Sequence, residues 1–430
     1  MLEPALPTRQ QRMIFLIVSP LLLLIQTVVG VVGVVRARRM GNPPPAMHSL
    51  NDTTTTTHDN HCSSDSSFTI VHFTDLHMGE DDLLDIKSGE VMRTVMSHEP
   101  ETALVVFGGD QVGGSELQES HSGMAKWIQS LTTVGSTQVP FATIFGNHDD
   151  QVTTFLSPQW HPWTGALLVL HVPLVAILVG LHVARGVPRR VVSAAGIFLC
   201  ISGLILVCMF LLGYQSARMR RAILHYEQAH FEVSSQSQAG SPDLPGVSNY
   251  VLRVSCHNTS SRRPFLIFLM DTGGGRIDYG FTGAQMEWVQ SVSAQYPGSH
   301  AILFAHLPSV EFERALTAGE SVFRCVGDEE TEPSAVTEWP PMESLAKAGI
   351  QALFVGHDHR NSYCCMPNRT RITTPTLCYG RHTGYGGYGD WARGARVIRY
   401  TFGKHGSLET WLRMENGSVA SPITILLHQQ

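Results

Sequence analysis

The sequence predicts an α/β fold in which polar residues gather at the ends of buried strands. Apolar, β-rich segments alternate with segments of helical pattern, which is typical of this class. Five short polar motifs directly follow apolar segments, and they are Asp75-Leu76-His77, Gly108-Gly109-Asp110, Gly146-Asn147-His148-Asp149, Ala305-His306 and Gly356-His357-Asp358-His359. Ligands bind at the carboxyl ends of strands in such sheets, so the motifs predict one shared site.

The individual elements follow from the local pattern. Short β-rich runs predict strands over residues 68–74, 103–107, 141–145, 249–255, 264–270, 301–304, 351–355, 377–379, 396–402 and 408–414. Helical patterns cover residues 81–98, 116–131 and 282–295. Asp81 and Asp82 suit the N-terminus of the first helix, where the helix dipole favours negative charge. Thr282 suits the N-cap of the third helix.

Length, charge and hydropathy limit the classes of function. A chain of 430 residues has room for one large domain or two ordinary ones. Its formal net charge is −6 and it has no long basic stretch, which argues against nucleic acid as a partner. Hydrophobic residues make up 43% of the chain, and they are concentrated in three runs without Lys, Arg, Asp or Glu: 13–35, 165–184 and 191–213.

The three apolar runs predict attachment to a membrane. Each approaches or exceeds the roughly 20 residues that a helix needs to cross a bilayer. We interpret the first as a transmembrane anchor or signal-anchor, because it exceeds the roughly 7–15 apolar residues of a signal peptide. Cleavage after Gly30 is the alternative. The other two runs predict a helical hairpin, with buried core helices or a gene-model artefact as alternatives.

These runs divide the chain into six predicted parts. In chain order they are a polar tail (1–12), the anchor (13–35), a Pro-, Ser- and Thr-rich disordered linker (36–66), the first half of a catalytic domain (67–159), an inserted transmembrane hairpin (160–221) and the second half of the domain (222–430). A hairpin returns the chain to the side of the membrane that it left. The two halves of the domain can therefore meet on one face.

Cysteines and glycosylation sequons bear on the compartment. The cysteines outside the apolar runs are Cys62, Cys256, Cys325, Cys364, Cys365 and Cys378. They predict up to three disulfides in an oxidising compartment, or buried free thiols. Sequons begin at Asn51, Asn258, Asn368 and Asn416. They favour a glycosylated domain that is lumenal or extracellular, whereas the arginines beside the apolar runs do not settle the orientation.

The residue types of the five motifs predict a dinuclear metal site. Carboxylate and amide oxygens are hard ligands and imidazole nitrogens are borderline, a set that admits iron, manganese or zinc. Two metal ions roughly 3.5–4 Å apart can stabilise a leaving oxygen, generate a nucleophile and neutralise charge. Hydrolysis of a phosphate ester needs all three.

The five motifs in this order resemble the calcineurin-like metallophosphoesterase superfamily, whose pattern is D-x-H, G-D, G-N-H-D/E, a lone His and G-H-x-H. The resemblance spans about residues 67–402 apart from the insertion, and it implies a four-layer α/β/β/α sandwich. It also implies seven metal ligands, which are Asp75, His77 and His359 on the first metal, Asn147, His306 and His357 on the second, and Asp110 as the bridge.

The same resemblance implies a mechanism. His148 would act as the general acid or stabilise the leaving group, and Asp149 would orient His148, in keeping with the usual pairing of His with a carboxylate. A metal-bound hydroxide would attack in line with the leaving oxygen, without a covalent intermediate.

Further segments carry a finer resemblance, and they are Phe145 to Asp150, Leu244 to Tyr250, Asp271 to Gly274, Val355 to His359 and Cys378 to Gly389. They are similar to fungal cell-cycle regulatory phosphatases and to plant proteins labelled probable inactive purple acid phosphatases. True purple acid phosphatases carry a Tyr ligand three residues after the bridging Asp and lack the His of D-x-H. This chain has Gly113 and His77 at those positions. We therefore expect no tyrosinate-bound ferric site, and His77 supplies the missing ligand.

The glycine-rich segment 380–389 follows the last predicted ligands. Glycine permits close backbone approach, so we interpret the segment as a loop in which Arg381 or His382 contacts phosphate. A turn with aromatic packing is the alternative.

Together these observations predict a membrane-anchored metallophosphoesterase that acts on phosphomonoesters. The alternatives are a phosphodiesterase for nucleotides or lipid headgroups, and a non-catalytic membrane scaffold that keeps the fold. The phosphorylated substrate itself is not identified by the sequence.

Overall fold

The structure is a computed structural model, and it describes residues 55–57, 66–114, 123–151, 217, 219–255, 263–274, 277, 279–328, 339–368, 374–403 and 405–427. The predicted tail and anchor lie outside these residues, as do most of the predicted linker and hairpin. Among the described residues, no helix combines the length and hydropathy that a membrane crossing needs. The membrane segments therefore stay predictions.

Fourteen strands are described. In chain order they are β1 (Thr55–Thr57), β2 (Ser67–Phe73), β3 (Thr102–Phe107), β4 (Phe141–Thr143), β5 (Tyr250–Ser255), β6 (Phe265–Leu269), β7 (Ala301–Phe304), β8 (Phe323–Val326), β9 (Ile350–Val355), β10 (Cys364–Pro367), β11 (Thr376–Tyr379), β12 (Gly394–Thr401), β13 (Ser407–Met414) and β14 (Val419–Ile425). They form an eight-stranded sheet in the order β1-β5-β6-β7-β9-β11-β10-β8 and a six-stranded sheet in the order β14-β13-β12-β2-β3-β4.

The described helices cover the outer faces of the sheets. They are α1 (Asp82–His98), α2 (Gly123–Gly135), α3 (residues 219–230), α4 (Gly283–Ser293), α5 (Val310–Thr317) and α6 (Met342–Lys347). The predicted caps are confirmed for two of them. The Asp81 side chain accepts the first amides of α1, and Thr282 forms a capping box with Gln285 at the start of α4.

Three hydrophobic cores define the layers. Ile70 of the six-stranded sheet and Phe304 of the eight-stranded sheet belong to the core between the sheets. Phe312 of α5 packs, with residues of α4 and α6, on the outer face of the eight-stranded sheet. Trp127 of α2 packs, with residues of α1 and α3, on the six-stranded sheet. The result is a two-sheet α/β sandwich with helices on both outer faces.

Strand direction positions the site. Strands β2, β3 and β4 are parallel neighbours, and β7 and β9 are parallel neighbours in the other sheet. Each of these strands ends just before one of the five polar motifs. The carboxyl ends of parallel strands share an edge, which brings the motifs together.

Two predicted boundaries are wrong. The predicted hairpin includes residues 219–221, but these residues belong to α3, and Arg220 is fully buried in the domain. Thr55–Thr57 lies in the predicted disordered linker but pairs in parallel with β5, as β-branched residues favour. The second predicted helix is confirmed over 123–131 and continues to Gly135, while its predicted first residues lie among 115–122, outside the described residues.

Two disulfides join three strands of the eight-stranded sheet. Cys325 of β8 bonds to Cys365 of β10, and Cys364 of β10 bonds to Cys378 of β11. Each bond joins residues that face each other in the strand register. Disulfide formation is thus confirmed for four of the six predicted cysteines, while Cys62 and Cys256 lie outside the described residues.

We expect both disulfides to stabilise the fold by restricting the unfolded chain. The Cys325–Cys365 bond spans 40 residues and the Cys364–Cys378 bond spans 14. Replacing each pair by alanine should lower the free energy of unfolding by about 4 and about 3 kcal/mol, respectively. Urea unfolding under non-reducing conditions measures both values. Free thiols in the unfolded wild-type protein at these four positions would contradict the assignment.

Candidate metal centre

The site begins with an unusual backbone at the strand ends. Four predicted ligands have positive φ, and they are Asp75 (59°), His77 (47°), Asp110 (52°) and His357 (73°). This region costs a residue with a side chain on the order of 1–3 kcal/mol. Backbone hydrogen bonds hold two of these turns, because the Asp75 amide donates to Gly109 O (3.0 Å) and the His77 amide to Asp110 O (3.0 Å). The turns direct the side chains of both motifs into one region.

Asp75, His77 and His359 form the first ligand group. One ligand atom from each lies within 4.8 Å of the others, and all three residues are buried. Nε2 of His77 is 3.2 Å from Nε2 of His359. Oδ1 of Asp75 is 3.8 Å from the same His359 nitrogen. These are the three residues predicted to bind the first metal.

Asp110, His306 and His357 form the second group under the same 4.8 Å criterion. Nε2 of His306 lies 3.0 Å from Oδ2 of Asp110 and 3.1 Å from Oδ1 of Asn147. The amide oxygen of Asn147 therefore faces this group, and the predicted second set lies together.

The two groups adjoin each other. Oδ2 of Asp110 lies 3.8 Å from His77 Nε2 as well as 3.0 Å from His306 Nε2. Oδ1 of Asp75 lies 3.9 Å from His306 Nε2. Asp110 thus faces both groups, as its predicted bridging position requires. The structure brings all seven predicted ligands into one centre.

The donor set fits two metal ions. The imidazole nitrogens of His77 and His359 face each other at 3.2 Å beside a carboxylate, an arrangement that needs a proton or a cation between the lone pairs. Nδ1 of His306 lies 2.9 Å from Gly108 O. When His306 is neutral, this contact places the proton on Nδ1 and directs the Nε2 lone pair into the centre.

The pKa values of two histidines in the centre also indicate a site for cations. Burial would lower the pKa of His306, but the carboxylates of Asp110 and Asp75 outweigh burial and raise it to about 10. Burial likewise opposes protonation of His77, yet Glu80, Asp110 and Asp75 raise its pKa to about 8. The centre attracts positive charge strongly. In the metal-free protein, protonated His306 and His77 partly neutralise the charge of the carboxylates.

His148 lies at the rim of the centre. Its amide donates to Oδ1 of Asp110 (2.8 Å), and its half-buried ring lies 4.9 Å from the His77 ring, centroid to centroid. Its Nδ1 is 3.4 Å from Gly113 O. The position fits a group that acts on a substrate bound at the metals.

Asp149 has a different role from the predicted one. Its carboxylate accepts the amides of Gly146 (2.7 Å), Asp110 (3.0 Å) and Val112 (3.2 Å). It therefore joins the backbones of the second and third motifs and does not orient the His148 ring. Burial, with repulsion from Asp110, raises the pKa of Asp149 to about 7.

The predicted phosphate contact by Arg381 is not supported. Its guanidinium is buried and donates to Ala392 O at 2.9 and 2.7 Å, so it holds the loop together. His382 is also buried, with its ring centroid 3.9 Å from that of His359. His382 packs behind a predicted ligand and is not open to a substrate.

Sequence reasoning missed three residues that support the centre. Glu80 lies 3.0 Å from His77 Nδ1. The ring of Tyr388 stacks on that of His359 at 4.0 Å, and its hydroxyl accepts the His359 amide at 3.1 Å. The third residue is Arg220. The only local signal for Glu80 is that a carboxylate follows His77 by three residues.

Arg220 supports the third motif from behind. Its buried guanidinium lies 2.7 Å from Asp271 and 3.2 Å from Asp150 and donates to Gly146 O at 3.0 Å. It thereby braces the loop that carries Asn147. This role could not be predicted from the sequence, because Arg220 follows an apolar run and a basic residue at that position is typical of a membrane boundary.

Comparisons with known proteins bear on the superfamily to which the chain is similar. Residues 68–206 match the family model described as calcineurin-like phosphoesterase. The chain is 27% identical over 199 residues to "Probable inactive purple acid phosphatase 28" of Arabidopsis thaliana, which covers 40% of this chain and 48% of that protein. It is 24% identical over 220 residues to "Probable inactive purple acid phosphatase 14" of the same plant, covering 43% and 53%.

These matches confirm the predicted resemblance to the calcineurin-like superfamily and to its plant subgroup. The chain spans about half the length of these two curated relatives. A solved structure described as "GAP50 the anchor in the inner membrane complex of Plasmodium" aligns over 85% of this chain and 90% of its own, with a TM-score of 0.41 and 10% identity.

We expect metal binding to release protons. In the metal-free protein the pKa of His306 is about 10 and that of His77 about 8, so both are protonated near pH 7 and must lose a proton to bind metal. Affinity should therefore fall as the pH falls. Titration calorimetry with Mn²⁺ or Zn²⁺ in buffers of different ionisation enthalpy should show about two protons released near pH 7 and about one near pH 9. Binding without proton release near pH 7 would contradict this.

Proposed function

We propose that this protein hydrolyses phosphate esters, with phosphomonoesters as the favoured class, and that it uses a dinuclear metal centre. The convergence of the seven predicted ligands carries the proposal, because Asp110 faces both groups and the other ligands divide between them. The family match supports the same reaction class.

The metal ions would be iron, manganese or zinc, since the set combines imidazole with carboxylate and amide oxygens. Bound there, they would supply positive charge for the phosphate oxygens and lower the pKa of a bound water. The protein's own part is to place them. Asp75 and Asp110 accept the amides of His357 and His148 (3.1 and 2.8 Å), so each carboxylate also positions a neighbouring motif.

His148 is the proposed proton donor to the leaving oxygen. Its ring lies at the rim beside the His77 ring, and its amide is fixed by Asp110. A donor at that position can reach an ester oxygen that points out of the centre. Removal of a positioned general acid typically lowers kcat by about 10²–10⁴-fold.

The test of the proposed reaction is hydrolysis of p-nitrophenyl phosphate by metal-loaded protein. His148→Ala should lower kcat by about 10²–10⁴-fold without loss of metal, whereas Asp110→Asn should lower both metal content and activity. His98→Ala, which alters an exposed histidine at the end of α1, should leave the rate unchanged. Bis-p-nitrophenyl phosphate in parallel distinguishes a monoesterase from a diesterase.

The label "inactive" on the plant relatives favours a second candidate, a non-catalytic scaffold that keeps the fold. The two candidates differ in metal content and turnover. Protein that binds no metal and hydrolyses neither aryl phosphate would support the scaffold and overturn the enzyme. Protein that binds metal and hydrolyses an aryl phosphate would support the enzyme and overturn the scaffold.

We further propose that the domain is held at a membrane by the apolar runs and faces the lumen or the cell exterior. The two disulfides support an oxidising compartment. We propose no nucleic acid partner, in line with the acidic net charge.

Protease protection in sealed microsomes tests this topology. Both halves of the domain, residues 67–159 and 222–430, should be protected, and a glycosidase should shift the mobility of the protein. Protection of one half alone would contradict a hairpin that returns the chain to the same side. Digestion of both halves would contradict the lumenal orientation.

A further inference from the structure

Glu80 makes two hydrogen bonds beside the first ligand group. Its Oε1 lies 3.0 Å from Nδ1 of His77, and its Oε2 accepts the Gly387 amide at 2.7 Å. The side chain is only 14% exposed. One carboxylate therefore joins the first motif to the glycine-rich segment.

The contact with His77 decides which ring nitrogen faces the centre. With Nδ1 directed at the Glu80 carboxylate, Nε2 points toward His359 Nε2 (3.2 Å) and Asp110 Oδ2 (3.8 Å). A carboxylate that accepts Nδ1–H keeps the Nε2 lone pair free for a metal and makes the imidazole more basic. Glu80 thus prepares His77 as an Nε2 ligand.

The second contact reaches the other histidine of the group. Gly387 has a φ of +70°, and a Cβ added there would lie 2.4 Å from Cε1 of His359. The backbone at Gly387 therefore packs directly against the His359 ring. By holding the Gly387 amide, Glu80 also restrains the wall on which His359 rests.

Gly113 provides the space that Glu80 occupies. A Cβ added at Gly113 would lie 2.5 Å from Cγ of Glu80 and 2.9 Å from its Oε1. Any side chain at position 113 would therefore displace the carboxylate from His77. Glu80 and Gly113 form a matched pair.

We propose that Glu80 is the positioning residue of the first ligand group, fixing His77 with Nε2 toward the metal, and that Gly113 is required to admit it. The inference rests on the proposed metal centre. It adds a residue that touches neither substrate nor metal.

Metal affinity tests the inference directly. Equilibrium dialysis of the full chain against Zn²⁺ or Mn²⁺, with metal counted per protein, should show two sites in the wild type. Glu80→Ala should weaken one of the two by about 10–100-fold. Glu80→Gln should lie between, because its amide oxygen can still accept from His77 while its NH₂ cannot accept from Gly387.

Gly113→Ala should reproduce the defect without altering Glu80. The added methyl group collides with the carboxylate, so one metal site should weaken as in Glu80→Ala. Combining both changes should relieve the collision and restore thermal stability relative to Gly113→Ala alone, while metal affinity stays low. Such non-additivity is the signature of two groups in contact.

Glu415→Gln is the matched control. Its carboxylate accepts Tyr385 Oη (2.6 Å) of the same segment and the Arg393 amide (2.8 Å) just beyond it, and it contacts no predicted ligand. It should keep both metal sites. If folded Glu80→Ala protein binds two metals with wild-type affinity, the role of Glu80 is overturned and the proposed function still stands. Wild-type protein that binds no metal would overturn both this inference and the proposed function.

Discussion

The structure depends on one electrostatic constraint, the presence of two buried carboxylates in a single centre. Burial and the charge of Asp110 both raise the pKa of Asp75, which shows how unfavourable the pair is alone. Histidines at the ends of β2, β7 and β9 surround the carboxylates and supply protons or bind cations. Taking two such charges out of water costs several kcal/mol each unless they are compensated. The centre is therefore built to hold positive charge.

The rest of the fold keeps these charges in place. Five strand ends from two sheets deliver the motifs, and left-handed turns direct Asp75 and Asp110 inward. Asp149 then joins the second motif to the third through backbone amides. Behind them, Arg220 neutralises Asp150 and Asp271. These buried charges outside the centre therefore compensate one another and hold the loop that carries the third motif.

Much of this was predictable from sequence because the strongest signals are local. The strands before the motifs are apolar runs that end in polar residues, and β7 has the predicted bounds. The contacts of individual polar side chains outside the ligand set were not predictable. Arg381 has the positive charge expected of a residue that binds phosphate, yet its guanidinium donates to the carbonyl oxygen of Ala392. Short strands such as β8, only partly buried, carry too little hydrophobic pattern to distinguish them from a loop.

The contact between Asp150 and Arg220 has a consequence for how this domain can vary. The two residues are 70 positions apart in the sequence, yet their side chains form an ion pair of 3.2 Å. The pair thus holds together two points that are distant along the chain. For a flexible connection between two fixed points, the entropic cost of closure rises by only about 0.6 kcal/mol for each doubling of its length. Evolution, or a protein engineer, can exchange the intervening segment for one of very different length while the strand order and ligand set stay the same.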